Sequence, residues 1–243
     1  MIVVDDRAPR WIRELARFQP VKNLLFLYGN VLDLVTFLDE QDGKATSIGG
    51  YTLDRFLERF LLDRGYEVVG LLDPLGSLTF PNPQMKARYE QLATGRQAEP
   101  AGAGAPEAPR GQAQASTRTQ TGREPAGGHP CATAVSGMAR AMANETAPCA
   151  FVAQLASRLI ASPGQLSEPE NEVLTRVLQA SLGGKTAMRR DSAQQWNNLL
   201  ILVCDKLNDL PAYLYVDNPR ARAIHVDKPD RAERQRFLAE NYS

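Results

Sequence analysis

The chain has 243 residues, with 28 basic and 28 acidic side chains, so its formal net charge is zero. This balance excludes a general electrostatic attraction to nucleic acid or to anionic membranes. The length is sufficient for one α/β domain with a proper core or for two small domains.

Three cysteines, Cys131, Cys149 and Cys204, are odd in number and have no CxxC spacing. This pattern predicts reduced thiols in a cytoplasmic protein and argues against a disulfide framework or a zinc site. No basic segment followed by an apolar one opens the chain, so no secretory signal is evident. No apolar run approaches the roughly 20 residues that span a bilayer.

Hydrophobic periodicity in the first part of the chain predicts helices alternating with buried strands. The predicted helices cover 9–18, 51–65 and 85–94, and the predicted strands cover 23–28 and 66–72. The strand, helix and second strand from 23 to 72 form a βαβ unit, whose crossover should be right-handed. Between them, 31–50 starts apolar and ends in a stretch expected to be a polar, glycine-containing loop.

The composition changes between residues 95 and 130, where Gly, Pro, Ala, Gln and Thr dominate and large apolar residues are nearly absent. Such a segment cannot bury enough surface to offset the entropy of ordering it. We interpret it as a disordered insertion between two halves of one domain, 1–94 and 131–243.

The second half repeats the alternation of helices and strands. Its predicted helices cover 134–145, 168–182 and 230–241, and its predicted strands cover 149–155, 199–203 and 223–226. Ser167 and Glu170 form a capping box at the start of the second of these helices. Five strands alternating with helices predict a three-layer αβα domain with a mostly parallel five-stranded sheet.

Polar residues follow directly after the most apolar strand, 199–203, beginning with Asp205. Ligands bind beyond the carboxyl ends of strands in open parallel sheets, so this corner is the first place to expect a site. Asp73 also follows a predicted strand. It either faces a ligand there or caps the turn that Pro74 begins.

The last third of the chain resembles the second half of an AAA+ ATPase core. The resemblance is carried by LLILVCDKLNDLPAYL from Leu199 and by NPRARAIHVDKPDRAERQRFL from Asn218. In that family a buried strand ends in a sensor residue, an arginine-bearing loop follows, and a P-D-x-x-x-R-x-x-(I/F)-L helix enters the lid. Pro229-Asp230, Arg234 and Phe237-Leu238 match this last pattern.

The resemblance implies a P-loop NTPase type of sheet and assigns catalytic roles to three residues. Asp205 falls near the first sensor position, and Arg220 and Arg222 stand where the family often places its arginine finger. It also implies ATP as the cofactor, with Mg²⁺ if the protein is active. The chain ends inside the expected lid-entry helix, so we expect it to be the N-terminal part of a longer protein.

The phosphate-binding and metal-binding motifs depart from the family. A P-loop needs GxxxxGK[ST], whose backbone N–H groups and lysine hold the phosphates while the hydroxyl holds Mg²⁺. The segment after the first strand has only Gly43-Lys44, with Thr46 as a displaced hydroxyl. At the third strand, Gln154-Leu155 replaces the acidic pair, and an amide cannot be an anionic Mg²⁺ ligand. The residues left to contact a nucleotide are Gly29, Asn30, Gly43, Lys44, Thr46, Asp73 and Gln154.

Three hypotheses follow. The first is a degenerate AAA+ module that assembles with itself or with a partner AAA+ module and has weak or no ATP hydrolysis. The second is a divergent active ATPase that uses the Gly43-Lys44 segment with Asp73 or Asp205. The third is an unrelated α/β enzyme or binder, which a non-central position of strand 199–203 would favour. The first accounts best for the motif losses; no membrane or nucleic-acid partner is indicated, and the protein target is unknown.

Overall fold

The computed structural model describes residues 1–41, 44–95, 129–188 and 194–241. The strands in these ranges are β1 (Leu24–Gly29), β2 (Val35–Gln41), β3 (Lys44–Tyr51), β4 (Val68–Leu72), β5 (Leu78–Thr79), β6 (Cys149–Ala153), β7 (Thr186–Met188), β8 (Gln195–Asn197), β9 (Leu199–Cys204) and β10 (Ala221–Val226). The α-helices there are α1 (Arg10–Phe18), α2 (Leu53–Asp63), α3 (Pro83–Thr94), α4 (Ala132–Met142), α5 (Glu168–Gly183) and α6 (Arg231–Asn241).

A six-stranded sheet in the order β10-β1-β9-β6-β4-β5 forms the centre of the domain. The first five of these strands are parallel, and β5 pairs antiparallel with β4. Strand β9 lies between β1 and β6, so the most apolar strand is central. The predicted mostly parallel α/β fold is confirmed, with β5 added at one edge. Two residues are too few to give a hydrophobic period, which is why β5 was not predicted.

Helices cover both faces of this sheet and make a three-layer core. Along β1, Leu25 and Leu27 belong to the apolar cluster that also contains residues of α1 and α2. Leu24 and Phe26 point the opposite way, into the cluster that contains residues of α4 and α5. Successive side chains of a strand alternate between faces, so a strand covered on both faces must be apolar at every position.

Local sequence signals mark the C-terminus of α2 and the N-terminus of α5. Gly65 follows α2 with φ of +88°, a conformation that glycine adopts without steric cost, and it is the predicted C′ residue. At α5, the Glu170 carboxylate accepts hydrogen bonds from the backbone N–H and the hydroxyl of Ser167, both at 2.7 Å. The buried methionines of α4, Met138 and Met142, are core residues.

The prediction of a polar loop at the end of 31–50 was wrong, because this segment forms the antiparallel hairpin β2–β3. Val35, Phe37 and Asp39 point inward from β2, and all three are buried. The carboxylate of Asp39 pairs with Nη2 of Arg59 at 2.5 Å. A charge at an inward position interrupts the apolar alternation, so the pattern reads as a loop.

Two smaller features of the structure also differ from the sequence prediction. A second hairpin, β7–β8, follows α5 and was not predicted. Leu182, expected on the buried stripe of α5, is 53% exposed because the helix runs past the edge of the core there.

Buried amides join several segments at the amino ends of the parallel strands, here called the amino edge. Asn198 donates from Nδ2 to the carbonyl oxygens of Met142 and Asn144, both at 2.8 Å, and accepts from the N–H of Cys149 at 2.9 Å. Asn23 donates to the Asn198 carbonyl oxygen at 2.9 Å. Each of these groups is buried and hydrogen-bonded, which a stable interior requires.

Of the helices within the described ranges, none combines the length and the apolar character needed to cross a membrane.

Candidate functional site

The carboxyl ends of the parallel strands, here called the carboxyl edge, bring together most of the predicted site residues. The N–H of Gly29 donates to the Asp205 carbonyl oxygen at 3.1 Å, and the N–H of Asn30 donates to that of Val226 at 2.9 Å. Gln154 donates from its backbone N–H to the Leu72 carbonyl oxygen at 2.8 Å. The site that the sequence predicts beyond Cys204 would therefore lie on this edge, where hydrogen bonds join the ends of neighbouring strands.

The backbone conformation and the close neighbours of Gly29 leave no room for a side chain. Its φ is +107°, and a Cβ there would lie 2.8 Å from both the His225 ring and the Val226 carbonyl oxygen. The His225 side chain is 53% exposed and bonds to Asp227 through Nδ1 at 2.8 Å. The end of β1 is thus closed by a neighbouring side chain.

A short turn and then the hairpin occupy the place where a phosphate-binding loop would follow β1. Asp33 shapes this turn by accepting hydrogen bonds from the side chain of Asn30 at 3.1 Å and from the N–H of Leu34 at 2.8 Å. The chain then runs through β2 and β3 before α2 begins.

Lys44 and Thr46 lie in β3, and Gly43 falls outside the described residues. Lys44 pairs with Gln41 at the far end of the hairpin, whereas Val35 pairs with Tyr51 at its base. With about 3.4 Å per residue, β2 places these two ends about 20 Å apart along the strand. Lys44 is therefore far along the hairpin from the turn at Asn30.

A cavity of about 230 Å³ opens between this turn, the first turn of α2 and the ends of β6 and β9. We call it the edge cavity. Its lining residues are Val31, Leu32, Asp33, Thr52, Leu53, Asp54, Gln154, Leu155 and Val203. The cavity lies at a helix N-terminus, the usual position for a bound phosphate, yet its charged lining residues are both aspartates.

The edge cavity has the wrong charge for a triphosphate. A phosphate charge about 4 Å from an aspartate would be repelled by roughly 1 kcal/mol in water and about 4 kcal/mol at an effective dielectric constant near 20. Gln154 lines the cavity beside Asp33 and Asp54 and brings no positive charge. The aspartates were not singled out from the sequence, because their approach depends on the turn after β1.

Leu155 has an unusual backbone at the mouth of this cavity. Its φ of +48° and ψ of +44° are left-handed, a conformation rarely adopted by a bulky residue. The arrangement costs about 1–2 kcal/mol and turns a side chain that is 38% exposed toward the cavity. Strain of this kind concentrates at functional positions.

Asp205 is anchored to the segment that follows β6. Its N–H donates to Oγ of Ser157 at 2.9 Å, and its carboxylate lies 3.6 Å from the Arg158 guanidinium. Ser157 in turn donates to the Asp209 carboxylate at 2.8 Å. Across the described parts of the chain, no group of three or more His, Cys, Asp or Glu side chains is arranged to hold a metal ion.

Asp73 caps the turn between β4 and β5. Its Oδ1 accepts from the N–H of Leu75 at 2.8 Å and from the N–H of Ser77 at 3.0 Å. Of the two roles that the sequence left open, the structure shows the turn-capping one.

The two arginines expected to act in catalysis lie at the amino edge. Arg220 donates from Nη1 to Oδ1 of Asn23 at 3.2 Å, and the Arg222 guanidinium lies 4.7 Å from the centre of the Phe18 ring. Strand β10 runs from this edge to the other, about 17 Å at 3.3 Å per residue. Within one chain, these arginines therefore do not join Asp205.

The thiol nearest the carboxyl edge is unsuited to nucleophilic chemistry. Cys204 ends β9, and burial raises the pKa of its thiol to about 12. A thiol with this pKa stays protonated at neutral pH, and the thiolate is the reactive form.

The family model described as the N-terminal Rossmann-like domain of AAA+ chaperones matches residues 5–227. Among curated proteins, none matches the chain.

Proposed function

The chain belongs to the AAA+ chaperone family through its N-terminal Rossmann-like domain, and from this premise we propose that it is an assembly or remodelling module with weak or no ATP hydrolysis of its own. In this proposal the energy-supplying ATPase is a partner AAA+ module or another part of a longer protein. The protein target is left open.

The observation that carries the proposal is the hairpin after β1. A phosphate-binding loop passes directly from the first strand into the next helix, so that successive backbone N–H groups surround the phosphates. Here β2 and β3 stand between β1 and α2. The cavity beside them is lined by Asp33 and Asp54.

The end of β6 supports the same proposal. In the family an acidic pair at this position holds the metal, whereas this chain has Gln154 and Leu155. An amide is not an anionic Mg²⁺ ligand, and leucine has no ligand atom in its side chain. Losses at two separate elements make ordinary Mg²⁺-dependent hydrolysis the less favoured function.

Arg220 and Arg222 are proposed to act between subunits. Both are exposed on the amino edge, where they can contact a neighbouring AAA+ module. Arg220 also donates a hydrogen bond to Asn23. We propose a cytoplasmic location, supported by three cysteines that are free and buried.

Binding of a fluorescent ATP analogue to the full chain, with and without Mg²⁺, tests the proposal. We expect no saturable binding in the micromolar range and no phosphate release above the buffer rate. Mg²⁺-dependent turnover that Lys44→Ala abolishes would contradict the proposal and establish the divergent ATPase instead.

Assembly is tested separately by light scattering of the full chain alone and mixed with a catalytic AAA+ module. We expect Arg222→Ala to weaken association, with Arg231→Ala, an exposed arginine on α6, as the matched control. Arg222 is preferred to Arg220 because Arg220 also supports Asn23. Identical assembly of all three proteins would remove the intersubunit role.

A further inference from the structure

The edge cavity has an apolar wall that reaches solvent. Leu53 and Val203 are buried at its base, while Leu32 and Leu155 are 75% and 38% exposed at its mouth. Exposed leucines beside a concave surface are typical of a binding site for another molecule.

The charges of the cavity are all of one sign. Asp33 projects from the turn after β1, and Asp54 lies in the first turn of α2. Among the basic residues close to the lining residues along the chain, Arg55 pairs with Glu58 at 3.4 Å, Arg158 pairs with Asp205 at 3.6 Å, and Lys206 is exposed three residues after Val203. Neither arginine lines the cavity.

The apolar wall and the negative charge together restrict the kind of group that the cavity can bind. An anion would be repelled by both aspartates, and a purely apolar group would cover the carboxylates without compensating their charge. A lysine or arginine side chain fits both properties of the cavity. Its aliphatic part packs on the apolar wall, and its charged group binds the carboxylates.

We propose that the edge cavity binds an arginine or lysine side chain of a protein partner, with an adjacent aliphatic residue packed on Leu32 and Leu155. The position that holds a nucleotide phosphate in an ordinary P-loop protein thus becomes a socket for a partner's cation. The inference rests on the proposed function, because the socket is free for a partner only while it holds no triphosphate.

The backbone of Leu155 supports this role. A left-handed leucine is kept at the mouth although glycine or asparagine would adopt the same conformation at lower cost. Its side chain makes the wall that an aliphatic neighbour of the cation would contact.

The test uses three acetylated, amidated peptides: Leu-Arg-Leu, the uncharged analogue with citrulline in place of arginine, and Leu-Glu-Leu. Each is titrated into the ¹⁵N-labelled full chain, and the amide shifts of Thr52, Leu53 and Leu155 are followed. We expect saturable shifts with the arginine peptide, at least tenfold weaker binding of the citrulline peptide and no binding of the glutamate peptide. Equal binding of all three peptides would overturn the proposal.

Single-residue variants test whether the arginine peptide binds in the edge cavity. Asp54→Asn should weaken the arginine peptide at least fivefold, and Leu32→Ser should weaken it without restoring binding of the glutamate peptide. Glu90→Gln, which removes an exposed acid on α3, is the matched control and should change nothing. Wild-type affinity in both Asp54→Asn and Leu32→Ser would place the peptide elsewhere and refute the socket.

ATP in the same titration separates the two proposals. Shifts of the same amides by ATP would contradict both the socket and the expected absence of saturable nucleotide binding. Absence of binding by ATP and by the arginine peptide would refute the socket alone.

Discussion

At the amino edge, Asn198 and Asn23 join separate segments through buried hydrogen bonds, whereas the turns at the carboxyl edge carry exposed leucines and unpaired cavity charges. In the first arrangement the buried side-chain amides of Asn198 and Asn23 are hydrogen-bonded, which stabilises the sheet. The second leaves apolar and acidic surface uncovered and includes a strained residue, Leu155. The comparison teaches that buried hydrogen bonds at the amino edge stabilise the sheet, whereas the carboxyl edge leaves a cavity open to a ligand.

Removing the Asn198 amide should have the largest effect. Asn198→Ala leaves the N–H of Cys149 and two carbonyl oxygens buried without their partner, and each lost bond costs about 1–3 kcal/mol. We expect the free energy of unfolding in urea to fall by about 3–5 kcal/mol.

Asn208→Ala is the control at the other edge, because Asn208 is exposed in the segment after β9. A change below about 0.5 kcal/mol is expected for such a surface position. Similar losses in the two variants would break the comparison between the edges.

Alkaline pH should act on both edges to a similar extent. Cys149 begins β6 at the amino edge and Cys204 ends β9 at the carboxyl edge, and burial raises the pKa of each thiol to about 12. The neutral folded thiols contribute stability that is present below the unfolded pKa near 9 and is lost as pH rises toward 12. Between pH 8 and pH 10 we expect each cysteine to lower the free energy of unfolding by roughly 1 kcal/mol.

Urea unfolding under reducing conditions measures this pH effect, and Cys149→Ala and Cys204→Ala should each remove about a third of it, because Cys131, whose thiol pKa is raised by burial to about 11, contributes a similar share. If Cys204→Ala alone abolished the dependence, the thiol at the amino edge would not be buried as described.

The smallest expected effect is a gain in stability at the carboxyl edge. Leu155→Gly relieves a left-handed backbone at a side chain that is 38% exposed, so we expect the free energy of unfolding to rise by roughly 0.5–1 kcal/mol. The same variant should lose affinity for the arginine peptide. Ala156→Gly, one residue later, is the control and should lose about 0.5–1 kcal/mol. A loss in Leu155→Gly would mean that this leucine serves packing.

The parts of the fold that the sequence predicted share a physical cause. Strands β1 and β9 are covered on both faces and must be apolar throughout, and α2 has one apolar stripe and a glycine at its end. Helix α5 was predicted from its capping box for a similarly local reason. These signals depend on neighbouring residues along the chain.

The hairpin β2–β3 was missed although one local signal was present. The dipeptide Asp42-Gly43 is a sequence typical of two-residue hairpin turns, but the inward-facing Asp39 interrupts the apolar alternation before it. Asp39 is tolerated inside only because Arg59 reaches it from α2. That partner is 20 residues away, and no local pattern indicates it.

By itself, the sequence predicted a three-layer αβα domain with a mostly parallel sheet, and its resemblance to AAA+ proteins predicted the loss of the P-loop motif and of the acidic pair. The tertiary structure decided what occupies their place, because the meeting of Asp33, Asp54 and Leu155 requires β1, α2 and β6 to be side by side. It also placed Arg220 and Arg222 at the edge opposite Asp205, since the two ends of a parallel strand lie on opposite sides of the domain. Charge and distance across the sheet are properties of the packed chain, and no spacing along the sequence contains them.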